Sequence, residues 1–290
     1  MNYRLQSVLL LAITSVIWGS SFILIKRGLE VFEPLEVATL RVTVGCLVFL
    51  PIAIANLKII RKGDVKFMVL SGLMGSFFPS ILFSVAGSGM SSALSGMLNG
   101  ITPLFTFIIS VLFFSYTFHK KQIWGILVGF LGAMILAFSK GNGAIDLNIF
   151  ALLVVLATVL YAINVNILNQ FLNGYKPLAL TALCILFAGI PAMCILFGQT
   201  GFVQKMITHP QAIKAFGFVF LLGLMGTSVA MVLFNRLIQI SGPVTASTVT
   251  YLMPVIALFW GFMDNESLNL FHFSGLAAIL GGVFLVNQKK

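Results

Sequence analysis

Gly72 to Pro103 reads GLMGSFFPSILFSVAGSGMSSALSGMLNGITP, and Gly223 to Pro254 reads GLMGTSVAMVLFNRLIQISGPVTASTVTYLMP. Both stretches are 32 residues long. Gly72, Leu73, Met74, Gly75, Leu82, Phe83 and Pro103 recur unchanged at Gly223, Leu224, Met225, Gly226, Leu233, Phe234 and Pro254. An offset of 151 in a chain of 290 residues indicates two copies of one unit. Chance likeness of apolar helices explains shared Leu and Phe, but explains the Gly-Leu-Met-Gly and Pro matches at one offset poorly.

Composition then fixes the solvent. Hydrophobic residues make up 59% of the chain and charged residues 8%, against roughly 25% charged in a soluble domain. Such a chain cannot cover a water-facing surface. Apolar runs of about 20 residues match the hydrocarbon core of a bilayer, and the first is too long, and too well followed by others, for a cleaved signal peptide. The net charge of +10 does not point to nucleic acid, because the basic residues cluster in short loops, where they signal topology and meet anionic lipid headgroups. Cys46, Cys184 and Cys194 fall in apolar runs without metal-ligand spacing, as small core residues do.

Ten spans are predicted, at Leu5–Ile25, Leu35–Leu57, Phe67–Ala86, Ala93–Phe114, Ile123–Phe138, Asn148–Phe171, Leu178–Phe197, Ala212–Arg236, Val244–Met263 and Leu270–Val286. Unpaired backbone is excluded from lipid, so each span should be helical. The alternating segments of about 10 residues that a membrane β-barrel needs are missing. With a cytoplasmic N-terminus, eleven Lys and Arg fall inside and five outside, which predicts both termini in the cytoplasm. Trp18 and Pro34 pair with Tyr161 and Pro177 at an offset of 143, and Gly125 and Gly132 with Gly275 and Gly282 at 150. A longer outer loop, Gly198–Gln211, absorbs the change of offset. The expected fold is therefore all-α and polytopic: two five-helix repeats, 1–140 and 141–290, around a central cavity. An odd number of spans per repeat makes the second enter the membrane inverted, a transporter hallmark that places substrate near midplane at the repeat interface.

Polar groups inside spans need a partner or a purpose. Trp18 and Ser21 share a helical face with Thr14, and their counterparts are Tyr161 and Asn164. Such a face suits either a cavity wall for a planar ligand or ordinary helix packing. Pro103 and Pro254 sit mid-span, with Pro79 as a third expected kink. A helical proline frees the carbonyl four residues back, here Asn99 and Thr250, themselves repeat equivalents. Tyr251, next in line, could add a hydroxyl to the same space. Ser76, Ser80, Ser84 and Ser88 read as a packing stripe, and Asn235 and Arg236 as wetted residues at a helix end. Arg41 lies about 9 Å past Leu35 at 1.5 Å per residue. It either reaches water, pairs with another helix, or binds an anionic group. Mid-span Asp and Glu are lacking, which argues against proton-coupled antiport through a membrane carboxylate. No nucleotide-binding, zinc-protease or serine-hydrolase signature occurs, and His119, His209 and His272 share no ligand spacing. No metal or other cofactor is expected.

TSVIWGSSF (Thr14–Phe22), GLMGTSVAMVLFNRLIQISGPVTAS (Gly223–Ser247), YLMPVIALFWG (Tyr251–Gly261) and the glycine-rich last helix resemble the EamA-type branch of the drug/metabolite transporter superfamily. The resemblance spans both halves, and rests on the order and spacing of motifs more than on any one of them. It implies ten helices in two inverted repeats, and cargo among amino acids, other small metabolites, nucleotide sugars or drugs, in many bacterial members as exporters. Members often carry Glu after the fourth and ninth spans; Glu266 fills the second position, while Tyr116 stands at the first. The expected function is alternating-access transport of a small polar or aromatic, amino-acid-like metabolite across a bacterial inner membrane, mainly in export. Trp18, Tyr161 and Tyr251 would enclose the substrate; Asn99, Asn164, Thr250 and Ser21 would hydrogen-bond it, and Arg41 would meet a carboxylate. The expected partners are that substrate and lipids, with the chain a monomer or weak homodimer. Rivals are a carrier of anionic nucleotide sugars or sugar phosphates, needing several cavity cations, and a non-transporting scaffold or enzyme, needing no cavity.

Overall fold

The computed structural model describes residues 3–115, 117, 119–137, 149–264 and 270–287. Tyr116 and Glu266, like the basic residues Lys140, Lys289 and Lys290 used for topology, lie outside the described residues. The described chain is helical throughout, with no strand. Eight helices are long and apolar enough to cross a membrane: α1 (Tyr3–Leu29), α2 (Pro34–Ile59), α3 (Val65–Gly89), α4 (Ser92–Phe114), α6 (Ile149–Phe171), α7 (Pro177–Gly198), α8 (Ala212–Ser241) and α9 (Pro243–Met263). Two more, α5 (Lys120–Ala137) and α10 (Leu270–Asn287), pack against each other. Exposed Leu112, Phe113, Trp124, Phe262 and Phe284 make an outer surface fit for lipid rather than water.

Helices meet in reciprocal fashion. α1 packs on α9 and α6 on α4; α1 packs on α8 and α6 on α3; α2 packs on α7 along its length. Glycines set how close the backbones come. A methyl group added at Gly72 would lie 2.2 Å from the Cys184 carbonyl oxygen, and one at Gly223 2.7 Å from the Arg41 carbonyl oxygen. Gly132 faces the Gly275 carbonyl at 2.7 Å, and Gly282 faces the Gly125 carbonyl at 2.6 Å, by the same measure. The three offsets read from the sequence thus reappear as exchanged contacts: what one half presents to the other, it receives back.

Both ends of the α2–α7 pair are tied by polar groups. At one end the Tyr175 hydroxyl donates to Asp64 Oδ2 at 2.7 Å and accepts from the Arg61 N–H at 3.2 Å, and burial pushes the phenol above its ordinary pKa. At the other, Lys205 donates to Glu36 at 2.7 Å and to Glu33 at 3.1 Å. Burial lowers the Lys205 pKa, but these hydrogen bonds outweigh it and leave it raised. Lys205 belongs to a short helix, Phe202–Thr208, so the segment expected as a plain outer loop carries structure of its own. Phe202 anchors it against Phe32, ring centroids 5.5 Å apart. Asp264, after α9, receives Lys26 and Arg27 from the end of α1, and the Lys26 hydrogen bond leads in holding its carboxyl below the usual range.

Several sequence expectations change here. Asn235 is not wetted: it is 3% exposed and donates to Thr181 Oγ1 at 2.7 Å. Ser76, Ser80 and Ser84 are buried in packing contacts as expected, whereas Ser88 is exposed. Pro103 does not kink a continuous helix. α4 stops at Asn99, turns through Gly100 and Ile101, and restarts at Thr102, so Pro103 sits in a first turn where its missing N–H costs nothing. α9 pauses earlier in its copy, at Thr248, and keeps Pro254 inside the helix.

Candidate functional site

The doubled Gly-Leu-Met-Gly motif has a structural meaning that its composition hides. Leu73–Phe77 and Leu222–Val229 are wide π-type turns set into α3 and α8. Such turns cluster at functional sites because they release backbone groups from the regular ladder. Past the second turn the Ala230 N–H bonds the Met225 carbonyl, five residues back, leaving the Gly226 carbonyl to accept from Trp18 Nε1 at 2.8 Å. Pro79, which has no N–H to give, follows the first turn one residue on, after Phe78. The expected kink at Pro79 is therefore a wide turn ending beside it.

Between the two turns lies a cavity of about 50 Å³, room for a few waters. α1 supplies Trp18, Ser21, Phe22 and Ile25; α2 supplies Arg41; α3 supplies Gly75 and Phe83. Asn99 and Thr102 come from α4, Tyr161 and Asn164 from α6, Phe234 from α8, and Ser247, Thr250 and Met253 from α9. Seven of the eight residues singled out in the sequence as substrate contacts line this one space. Tyr251 is the exception. It is fully buried among Ala93, Met97, Leu258 and Ile279, with its ring over Gly129 and its hydroxyl 3.4 Å from the Ile126 carbonyl. Neighbours on a helix point about 100° apart at 3.6 residues per turn, so Thr250 and Tyr251 cannot face the same point. Tyr251 fastens α9 to the α5–α10 pair instead.

Among the wall residues not singled out in the sequence, Phe83 and Phe234 stand out. Phe234 lies 4.8 Å from Trp18 and Phe83 lies 5.8 Å from Tyr161, centroid to centroid. Phe83 and Phe234 are repeat equivalents, and so are Trp18 and Tyr161, so each half contributes one residue to each aromatic pair or its counterpart. The signal is present in the doubled stretch, where both Phe residues match, but an aromatic in an apolar helix reads as core.

The polar wall is less even. Asn164 accepts from Ser71 at 2.6 Å and abuts Gly75, where an added methyl group would come within 2.3 Å of its amide nitrogen. Ser21 faces Gly226 at 3.0 Å by the same measure. Asn99 donates to Met253 Sδ at 3.4 Å and accepts from Thr102 at 3.1 Å; Thr250 donates to the Ser247 carbonyl at 2.8 Å. Arg41 is 7% exposed and reaches neither outer water nor Glu36; its Nε donates to Thr227 Oγ1 at 3.2 Å. A smaller void shares Phe22, Ile25 and Phe83 with the cavity and extends to Lys26 and Met90. A line of space therefore runs from the centre toward one end of α1, narrowed by the edge-on contact of Phe22 with Phe83.

A multi-pass helical membrane protein with an aromatic-walled central cavity is the class defined by this fold and site. The sequence model of the EamA-like transporter family matches the chain twice, over residues 5–138 and 148–288, and the chain belongs to that family. An "Uncharacterized transporter" of Archaeoglobus fulgidus is 24% identical over 97% of this chain and 99% of its own. The "Uncharacterized inner membrane transporter YedA" of Escherichia coli is 25% identical over 95% and 88%. A "Probable amino-acid metabolite efflux pump" of Escherichia coli is 25% identical over 97% and 94%. One solved crystal structure superposes with a TM-score of 0.73 at 15% identity, over 97% of this chain and 96% of that one, a likeness of fold.

Proposed function

We propose that this chain is a bacterial inner-membrane carrier that exports a small polar or aromatic, amino-acid-like metabolite by alternating access. Ten spans form two inverted five-helix repeats, 1–140 and 141–290, with both termini in the cytoplasm. Support for two repeats comes from the exchanged contacts of Gly72 with Cys184 and Gly223 with Arg41 and from the paired family matches, and an odd number of spans in each would make the second run opposite to the first. The observation that carries the functional reading is the cavity itself: matched aromatic pairs, Trp18 with Phe234 and Tyr161 with Phe83, around a few polar groups, as small-molecule sites are built. The aromatics would sandwich an apolar body. Ser21, Asn99, Asn164 and Thr250 would take its polar groups, and Arg41 a carboxylate. An amino-acid-like cargo accords with the printed name of one relative.

A nucleotide-sugar carrier is disfavoured, because Arg41 is the one cation among the described residues that line the cavity and a diphosphate needs more. A scaffold would have no use for a central space. The test is flux: purified protein in liposomes loaded with a panel of labelled amino acids and related metabolites should release at least one of them faster than protein-free vesicles. Release at the protein-free rate across the whole panel overturns the reading.

A further inference from the structure

The charge inventory of the cavity is more selective than its shape. Arg41 has five N–H donors. One, on Nε, meets Thr227 Oγ1 at 3.2 Å; the η nitrogens have no protein acceptor among the described residues, and the guanidinium lines the cavity. Gly226 of the second wide turn lies in ordinary contact range of it, an added methyl group standing 3.7 Å from Arg41 Nη2. The acid nearest in sequence, Glu36, is committed elsewhere: it accepts from Lys205 at 2.7 Å and from the Glu33 N–H at 2.8 Å. Among the described residues, no Asp, Glu or His lines the cavity. A buried cation without a counter-ion is strongly unfavourable, so the empty site lacks one negative charge.

The same inventory disfavours a second positive charge. An ammonium group needs acceptors, and three of those nearby already hold one donor each, with a single lone pair left. Asn164 Oδ1 takes Ser71, Asn99 Oδ1 takes Thr102, and the Gly226 carbonyl takes Trp18. An ammonium would also lie in a small space with Arg41, unscreened. We propose, resting on the carrier reading above, that the cavity selects a net monoanion, a carboxylate on an aromatic or apolar body with no ammonium to balance it. The Arg41 guanidinium, positioned by its Nε bond to Thr227 Oγ1, grips the carboxylate, and Trp18–Phe234 and Tyr161–Phe83 part to hold the ring, which is larger than the space of about 50 Å³ in this conformation. The loaded site is neutral and the empty site is positive, so each cycle of export moves one negative charge outward. The inside-negative membrane potential drives that movement, and no proton-carrying carboxylate is needed. At equilibrium a monoanion is accumulated about tenfold on the outside for every 59 mV or so.

The test uses three probes with one ring and three charges: indole-3-acetate, tryptophan and tryptamine, in proteoliposomes with a potassium diffusion potential set by valinomycin. Indole-3-acetate should leave inside-negative vesicles at least tenfold faster than tryptophan or tryptamine, beyond the protein-free rate, and reversing the potential should slow it severalfold. Arg41→Gln should abolish the difference, with an unchanged elution profile and melting curve showing that it folds. Thr227→Val, which keeps the charge, should lower the rate severalfold and leave the response to potential intact. Tryptophan moving as fast as indole-3-acetate, or indole-3-acetate efflux indifferent to potential, overturns the proposal. If no probe moves while another metabolite of the panel does, the monoanion proposal falls and the carrier stands. If nothing moves, both fall.

Discussion

The two copies of the duplicated stretch share their frame and differ in what they hold. Each carries a wide turn at Gly-Leu-Met-Gly. Further along the same helix, each supplies one aromatic of the cavity wall, Phe83 in the first copy and Phe234 in the second. Around that frame the pairs diverge: Trp18 against Tyr161, Ser21 against Asn164, Asn99 against Thr250, and Arg41 against Cys184. Backbone geometry is held in common where helices must touch. Side-chain chemistry is released where a ligand would be read. A cavity built this way has symmetric walls and an asymmetric charge.

The largest expected effect strikes the frame. Gly72→Val and Gly223→Val each drive a branched side chain into backbone, the first 2.2 Å from the Cys184 oxygen and the second 2.7 Å from the Arg41 oxygen. Overpacking of this kind costs about 1–3 kcal/mol. Gly72→Val should melt lowest and lose its monodisperse elution peak, with Gly223→Val above it. Equal melting temperatures would mean that the tighter crossing yields more readily, and that distance alone does not set the cost.

Gly75→Ala and Gly226→Ala separate frame from contents. The first pushes on an amide held by Ser71, and the second on the freer Ser21 hydroxyl. Gly75→Ala should cut flux about tenfold, the equivalent of about 1.4 kcal/mol, and Gly226→Ala only a few-fold, read as initial rates in liposomes. A smaller contrast is expected at the aromatic pair. Trp18→Phe loses the bond to the Gly226 carbonyl, worth about 1 kcal/mol, and should lower the melting temperature by a few degrees. Tyr161→Phe has no such bond to lose among the described residues, so any effect of it on flux reports on substrate. Tyr251→Phe, away from the cavity with one long hydrogen bond, should leave flux unchanged.

Acid gives the smallest effect. The Asp264 carboxyl sits below its ordinary value of 3.8, so its ties to Lys26 and Arg27 add stability that is complete above that value. They weaken as pH falls below it, through the depressed folded value. Melting temperature measured from about pH 6 down to about pH 3 should fall less in Asp264→Asn than in the parent protein.

The spans were legible because lipid leaves the chain one solution, and runs such as Leu35–Leu57 announce it by length alone. The cavity residues Trp18, Tyr161, Asn99 and Thr250 were legible because they are unusual in lipid and doubled. The wide turns were not, because Gly-Leu-Met-Gly satisfies a regular helix equally well, and the extra residue per turn is decided by what packs across it: Cys184 and Asn164 on one side, Arg41 and Ser21 on the other. Asn235 was misread for a related reason. Its partner Thr181 is 54 residues away in sequence, and nothing local marks it.

The wide turns also carry a record of descent. Each widens its helix beyond a regular turn, at overlapping places in the two copies and across the same Gly-Leu-Met-Gly motif. A shared widening is inherited more simply than it is invented twice, which dates the turn to the single ancestral unit, before duplication. The mismatch of Arg41 with Cys184 arose after it. The scaffold that holds the cavity is therefore common to both halves, while the charge inside it belongs to one.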